Sequence, residues 1–132
     1  MDVRVAKEYL HIRDWLALAQ EIVDAGERAY LGSLLAQEAG DSILMKVGEA
    51  AGRLARAGEE PPEGAQWSDA ISNRNWVIHQ YDEIDRAVTW NTLSGAIPAW
   101  RRALAPRIAE AERSWLIAAP SDPTPVPTVW GE

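Results

Sequence analysis

Apolar residues step along the first 24 positions at intervals of three and four: Val5, Tyr9, Ile12, Leu16, Ala19 and Val23. That spacing puts them on one stripe, with Lys7, Arg13, Asp14 and Glu21 mostly off it, and predicts an amphipathic helix over residues 3–24. Gly26 is placed to end it, because glycine adopts a left-handed conformation without a Cβ penalty. A shorter helical piece is predicted over 27–37, carrying Tyr30, Leu31, Leu34 and Leu35. Ile43, Val47, Ala50, Ala51 and Leu54 then give a helix over 42–58, capped by Asp41 or Ser42, or begun upstream and run through Gly40. Gly48 and Gly52 lower the propensity of this helix, so their benefit is expected to be close approach of another backbone.

EEPPEGAQ, residues 59–66, breaks the pattern with two prolines and a glycine and reads as a surface connection. Ser68 precedes the next periodic segment, in which Trp67, Ile71, Val77 and Ile78 are the inward candidates. YDEID, residues 81–85, has no period. Asp85 is a fitting N-cap for a last helix over 86–117, where Val88, Leu93, Ile97, Trp100, Leu104, Ile108 and Trp115 recur at helical intervals. Pro98 and Pro106 each remove a backbone donor there, so this helix is expected to be kinked or split. Residues 119–132 hold prolines at 120, 123, 125 and 127 and are expected to form a mobile, extended tail. With no strand-type alternation of useful length, the expected architecture is an all-α bundle of four or five helices in one domain, residues 1–118.

Composition narrows the chemistry. A chain of 132 residues, 47% hydrophobic and 25% charged, fits one ordinary globular domain. With no cysteine it has no disulfide framework, thiolate metal site or cysteine nucleophile, and two histidines, His11 and His79, are too few for a histidine cage. No apolar run nears the roughly 18 residues of a membrane span. MDVRVAKEYL lacks the layout of a signal peptide, so a cytoplasmic location is expected. A net charge of −7 argues against a protein that coats nucleic acid, whose affinity comes from neutralising phosphates, more than against an enzyme with a local basic cleft. Neither a glycine-rich phosphate loop, nor HExxH, nor a serine elbow occurs, and no cofactor or metal is expected. Glu59 with Glu60, and Asp82 with Glu83, read as solvated loop carboxylates.

One segment gathers reactive groups: RNWVIHQY, Arg74 to Tyr81, with a permanent cation, an amide, an imidazole and a phenol in eight residues. An imidazole, with its ordinary pKa of about 6.5, suits proton transfer near neutrality. A guanidinium stays charged and grips two phosphate oxygens. On an ideal helix, at about 100° per residue, Arg74 and His79 point roughly 140° apart. They converge only if the helix ends near His79 or if the site draws on two chains. Asn75, one turn before His79, is placed to orient the ring or hold a phosphate oxygen.

The run RNxxxHxY, here RNWVIHQY, resembles the signature of HEPN ribonucleases, most closely the HepT-like branch, also catalogued as DUF86. VGEAAGRL, Val47 to Leu54, is similar to the IGEAAxRL helix of that branch, and Asp85 with the Trp90 to Pro98 region resembles its final helix. The resemblance spans roughly residues 5–115. It implies a HEPN-type helical bundle and a metal-independent endoribonuclease working as a homodimer, with Arg74 and His79 catalytic, Asn75 supporting on phosphate, and the cleft at the interface. It further implies the toxin of a type VII toxin–antitoxin module, opposed by a minimal nucleotidyltransferase that attaches AMP to Tyr81. AMP there would occupy the phosphate-binding groups and repel RNA. Where the branch commonly has an aromatic residue and then glycine after the tyrosine, this chain has Asp82 and Glu83, an acidic pair that opposes phosphate. The alternative is a non-catalytic helical subunit that binds nucleotide or substrate for a small nucleotidyltransferase.

The remaining candidates read as structural. Trp15, Trp90, Trp100 and Trp115 sit within helical patterns as core or dimer contacts, and Trp76 inside the motif is the one indole to test for RNA stacking. Arg101, Arg102, Arg107 and Arg113 read as a solvated helix face, His11 as an edge residue, and Lys46 or Arg53 as possible added positive charge at the cleft.

Overall fold

The computed structural model describes residues 1–118, the side chain of Tyr81 excepted. The proline-rich segment 119–132, expected to be an extended tail, lies outside the described residues. Five α-helices and no strand are present among them: α1 Val3–Ala25, α2 Glu27–Leu31, α3 Leu34–Arg56, α4 Trp67–His79 and α5 Arg86–Ala118. A 3-10 turn, Tyr81–Glu83, joins α4 to α5. None of these helices is long and apolar enough to cross a membrane.

The first helix ends at Gly26, whose φ of 96° is the left-handed-side backbone anticipated for a glycine there. The second piece is shorter than predicted. Ser33 takes an extended backbone and its Oγ accepts from the Ala36 N–H, so a new helix begins at Leu34 and runs through Gly40 to Arg56. Asp41 and Ser42 are therefore not caps. Leu34 and Leu35 are 71% and 82% exposed at the start of α3. At the last helix Asp85 does cap, its Oδ1 accepting from the Ala87 N–H at 3.0 Å. α5 passes through Pro98 and Pro106 without splitting. Pro106 is exposed on the outer side of the helix.

α1 is the centre of the bundle, with α3 on one side and α5 on the other, both antiparallel to it; α4 packs chiefly on α3. Glu8 on α1 meets Arg53 near the end of α3 while Ala25 shares a groove with Ala36 near its start, and Arg13 meets Glu112 near the end of α5 while Gln20 shares one with Pro98, which fixes both directions. Tyr9, Ile12, Leu16 and Ala19 from α1 close the interior with Val47, Ala50, Ala51 and Leu54 from α3 and Leu93, Ile97 and Leu104 from α5. The void left between Ile12, Val47, Trp67 and Trp100 is about 10 Å³, no more than a water-sized gap, so no ligand chamber opens there. Trp90 and Trp100 are buried and Trp15 is half-buried, whereas Trp115, like Val88 and Ile78, stays about two-fifths exposed.

Two residues read as solvated are not. Glu59 accepts from the Tyr9 hydroxyl at 3.0 Å and pairs with Arg107, while its backbone carbonyl accepts from Trp67 Nε1 at 2.9 Å. Arg107 also bonds Glu110 and lies over the Tyr9 ring, 5.6 Å from its centroid. The connection between α3 and α4 is thus clamped to α1 and α5 by residues nearly fifty positions apart.

Candidate active site

α4 presents Arg74, Asn75 and His79, and the crossing of α4 on α3 decides where Arg74 lies. A Cβ built on Gly48 would sit 2.3 Å from the Arg74 Cβ and 2.8 Å from the Ala70 carbonyl oxygen, so the two helices meet at a distance only glycine permits. Gly52, expected to serve the same purpose, does not: a Cβ there meets only the Arg56 guanidinium of its own helix, at 3.3 Å.

Seated against Gly48, Arg74 is half-buried, and its Nε is buried with no hydrogen-bond partner among the described residues. The other half-buried arginines, Arg13, Arg86 and Arg107, hold Glu112, Asp41 and Glu59 respectively. Arg74 pairs with no described carboxylate. A buried donor left without a partner costs about 1–3 kcal/mol.

His79 is the last residue of α4 and is exposed; after it the Gln80 N–H closes the helix on the Trp76 carbonyl at 3.0 Å. Asn75 is exposed one turn earlier. At about 100° per residue the two lie some 40° apart and share the solvent face of α4. Arg74 does not join them. Five residues separate it from His79, about 140° around the helix and 7.5 Å along it. Helical geometry thus divides the motif between a covered cation and an open imidazole–amide face. The backbone of Tyr81 opens the 3-10 turn two residues past His79. Asp82, Glu83 and Asp85 are all exposed on this loop.

The far end of the loop is pinned. Arg86 donates to both oxygens of Asp41, at 2.7 and 3.0 Å, and Asp41 is only 2% exposed. Its hydrogen bonds to this carboxylate hold the guanidinium pKa above the usual arginine range. Beside the pair, the Tyr30 hydroxyl donates to Thr89 Oγ1 at 2.8 Å, and the Tyr30 and Trp90 rings stack obliquely with centroids 5.6 Å apart. Asp41 thus anchors the start of α5, where the 80–85 segment ends. Nothing local in the sequence announces it, because its partner lies 45 residues away.

Of the cations expected to assist, Arg53 is held by Glu8 at 2.5 and 3.1 Å, and Lys46 is exposed on the α1 side of α3. Arg101, Arg102 and Arg113 are exposed as expected, and His11 is exposed with its ring 5.5 Å from that of Trp15. Among the described residues no group of three or more His, Asp and Glu side chains is placed to hold a metal ion.

Residues 12–106 match the family model described as Ribonuclease HepT-like, a span that takes in most of α1 and α5 and the whole of RNWVIHQY. No curated protein and no solved structure matches the chain.

Proposed function

Because the chain belongs to the HepT-like ribonuclease family, we propose that it is a metal-independent endoribonuclease whose catalytic groups are Arg74 and His79. The observation that supports this most is the half-buried Arg74 guanidinium, held on the helix that ends at His79 and paired with no described carboxylate. Such a cation is poised for an anion from outside, and the scissile phosphate of RNA is the fitting one.

Cleavage without a metal needs the 2′-hydroxyl deprotonated so that its oxygen attacks phosphorus. Charge on the pentacoordinate phosphorane must then be stabilised and the departing 5′-oxygen protonated. The exposed imidazole of His79 takes and returns protons, Arg74 holds the phosphorane oxygens, and Asn75 on the His79 face donates to a phosphate oxygen. Since one chain turns Arg74 and His79 apart, the working unit is a two-fold homodimer in which the α4 segments face each other across one groove. That supplies two imidazoles, a base and an acid. Ile78, 41% exposed between these residues, is the apolar contact such a dimer would cover.

In the same reading the chain is the toxin of a type VII toxin–antitoxin module in the cytoplasm. A minimal nucleotidyltransferase silences it by attaching AMP to Tyr81, two residues past His79. The added phosphates would compete for Arg74 and repel RNA. The exposed Asp82, Glu83 and Asp85 favour a second reading, a non-catalytic partner subunit of a small nucleotidyltransferase. Expression in a bacterial host separates the two. Growth arrest relieved by Arg74→Ala and His79→Ala supports the nuclease; a harmless wild type that leaves RNA intact supports the partner subunit.

A further inference from the structure

A cleft of about 260 Å³ opens beside the motif, between α4 and the first turns of α5. It exists because α4 leans on α3 and leaves α5 uncovered there. Leu44 and the buried Val77 floor it, Trp76 is half-buried along it, and Ser72, Asn73 and Thr92 supply polar groups. No charged residue lines it. We propose that this cleft seats one nucleobase of the RNA substrate, with Trp76 as its stacking wall and Asn73 as the group that reads the base edge.

The inference rests on the nuclease reading and adds to it what the enzyme recognises. An uncharged lining suits an aromatic ring and not a phosphate, whose place is at Arg74. The volume is below the roughly 300–1,000 Å³ of sites for drug-sized ligands, a size for a single ring system. An amide offers both donors and an acceptor to a base edge, and unpaired RNA bases are characteristically held by stacking on aromatic side chains. Trp76 and His79 are i, i+3 neighbours, with Cβ atoms about 5–6 Å apart on a helix. A base stacked on Trp76 therefore delivers its own ribose and phosphate to the imidazole. Hydroxyls of Ser72 and Thr92 complete a rim with no net charge, so the acidic loop opposes the phosphate of this ligand and not its base.

The test uses the full chain with two readouts. The four nucleoside 3′-monophosphates are titrated against wild type, Trp76→Leu and Asn73→Ala by NMR. Cleavage preference is mapped on a single-stranded RNA of random sequence. The expected result is preferential binding of one or two bases, weakened about five- to a hundredfold by Trp76→Leu, the range for loss of one stacking partner. Asn73→Ala, at the rim of the cleft, should relax which base precedes the cut even where the tryptophan variant folds poorly. Unchanged affinity and unchanged preference in both variants overturn the pocket while leaving the nuclease standing, since Arg74→Ala and His79→Ala still abolish cleavage. A wild type that cuts no RNA overturns the nuclease reading; the titration then decides the cleft alone, with binding dependent on Trp76 supporting it and no binding ending it.

Discussion

Gly48 and Arg74 share one point of contact: the missing side chain of the first is the space the stem of the second occupies, with 2.3 Å between a Cβ built on Gly48 and the Arg74 Cβ. Through that contact α3 sets both the depth of α4 and the burial of its cation.

Gly48→Ala should therefore push α4 away and destabilise the fold by about 1–3 kcal/mol, as overpacking does. Gly52→Ala should be neutral or stabilise by up to about 1 kcal/mol, since the added methyl meets only the movable end of Arg56 and alanine favours the helix. Urea unfolding of the two variants checks the contrast; equal losses would contradict it.

On the proposed chemistry, Arg74→Ala and His79→Ala should each lower RNA cleavage at least a hundredfold with unfolding midpoints near wild type. His79 is exposed, and Arg74→Ala keeps the Cβ that meets Gly48 and removes a buried Nε with no described partner, which offsets the packing lost with the stem. Arg74→Lys should recover little, because an ammonium cannot grip two phosphate oxygens from that position. Single-turnover cleavage with thermal melts of the same samples would show it.

Ile78→Glu should leave the monomer helical and intact, since the side chain is already 41% exposed, but should split the proposed dimer by placing like charges across its two-fold groove. Sedimentation should then report a monomer, and cleavage should fall with it. A variant that stays dimeric and active would put the shared cleft elsewhere.

Tyr9 gives the fold a pH dependence at the alkaline end. Burial first, then the neighbouring Glu59, pushes its pKa up from 10.0 to about 12, against the lowering hydrogen bond from Arg107. The raised value favours the protonated phenol in the folded state. Its contribution is whole below pH 10 and is lost as pH rises from 10 to about 12. Tyr9→Phe should flatten the loss of stability in that window and lower stability near neutrality by about 0.5–1.5 kcal/mol. Unfolding midpoints measured from pH 8 to 11.5 would reveal the difference.

Periodicity sufficed to find α1 and α5, and Gly26 and Asp85 mark the end of the first and the start of the last with local chemistry, but its inward candidates Ile78, Val88 and Trp115 stay about two-fifths exposed. It misread the 27–37 region. The predicted piece carries Leu34 and Leu35, which stay exposed at the start of α3 among the described residues, and periodicity says nothing of what lies opposite. Asp41 shows a second limit. An acidic residue before an apolar run reads as a cap, and only the fold shows it facing Arg86. Glu59 and Arg107 likewise carry ordinary surface residue types and meet only once the helices are packed. At the site, the motif named Arg74, Asn75 and His79, while the cleft walled by Trp76 follows from the tilt of α4 and has no counterpart in residue spacing.

The shielding of Asp41 matters whenever the ionic strength rises. Mobile ions screen charges they can reach, so the rim pair Arg13–Glu112, with side chains 41% and 49% exposed, loosens in brine. Asp41, at 3% side-chain exposure, keeps its grip on Arg86. The molecule therefore has joints of two kinds: outer ones that electrolyte dissolves, and an inner one that holds the root of the 80–85 segment steady across the range of salt a cell or a buffer can present.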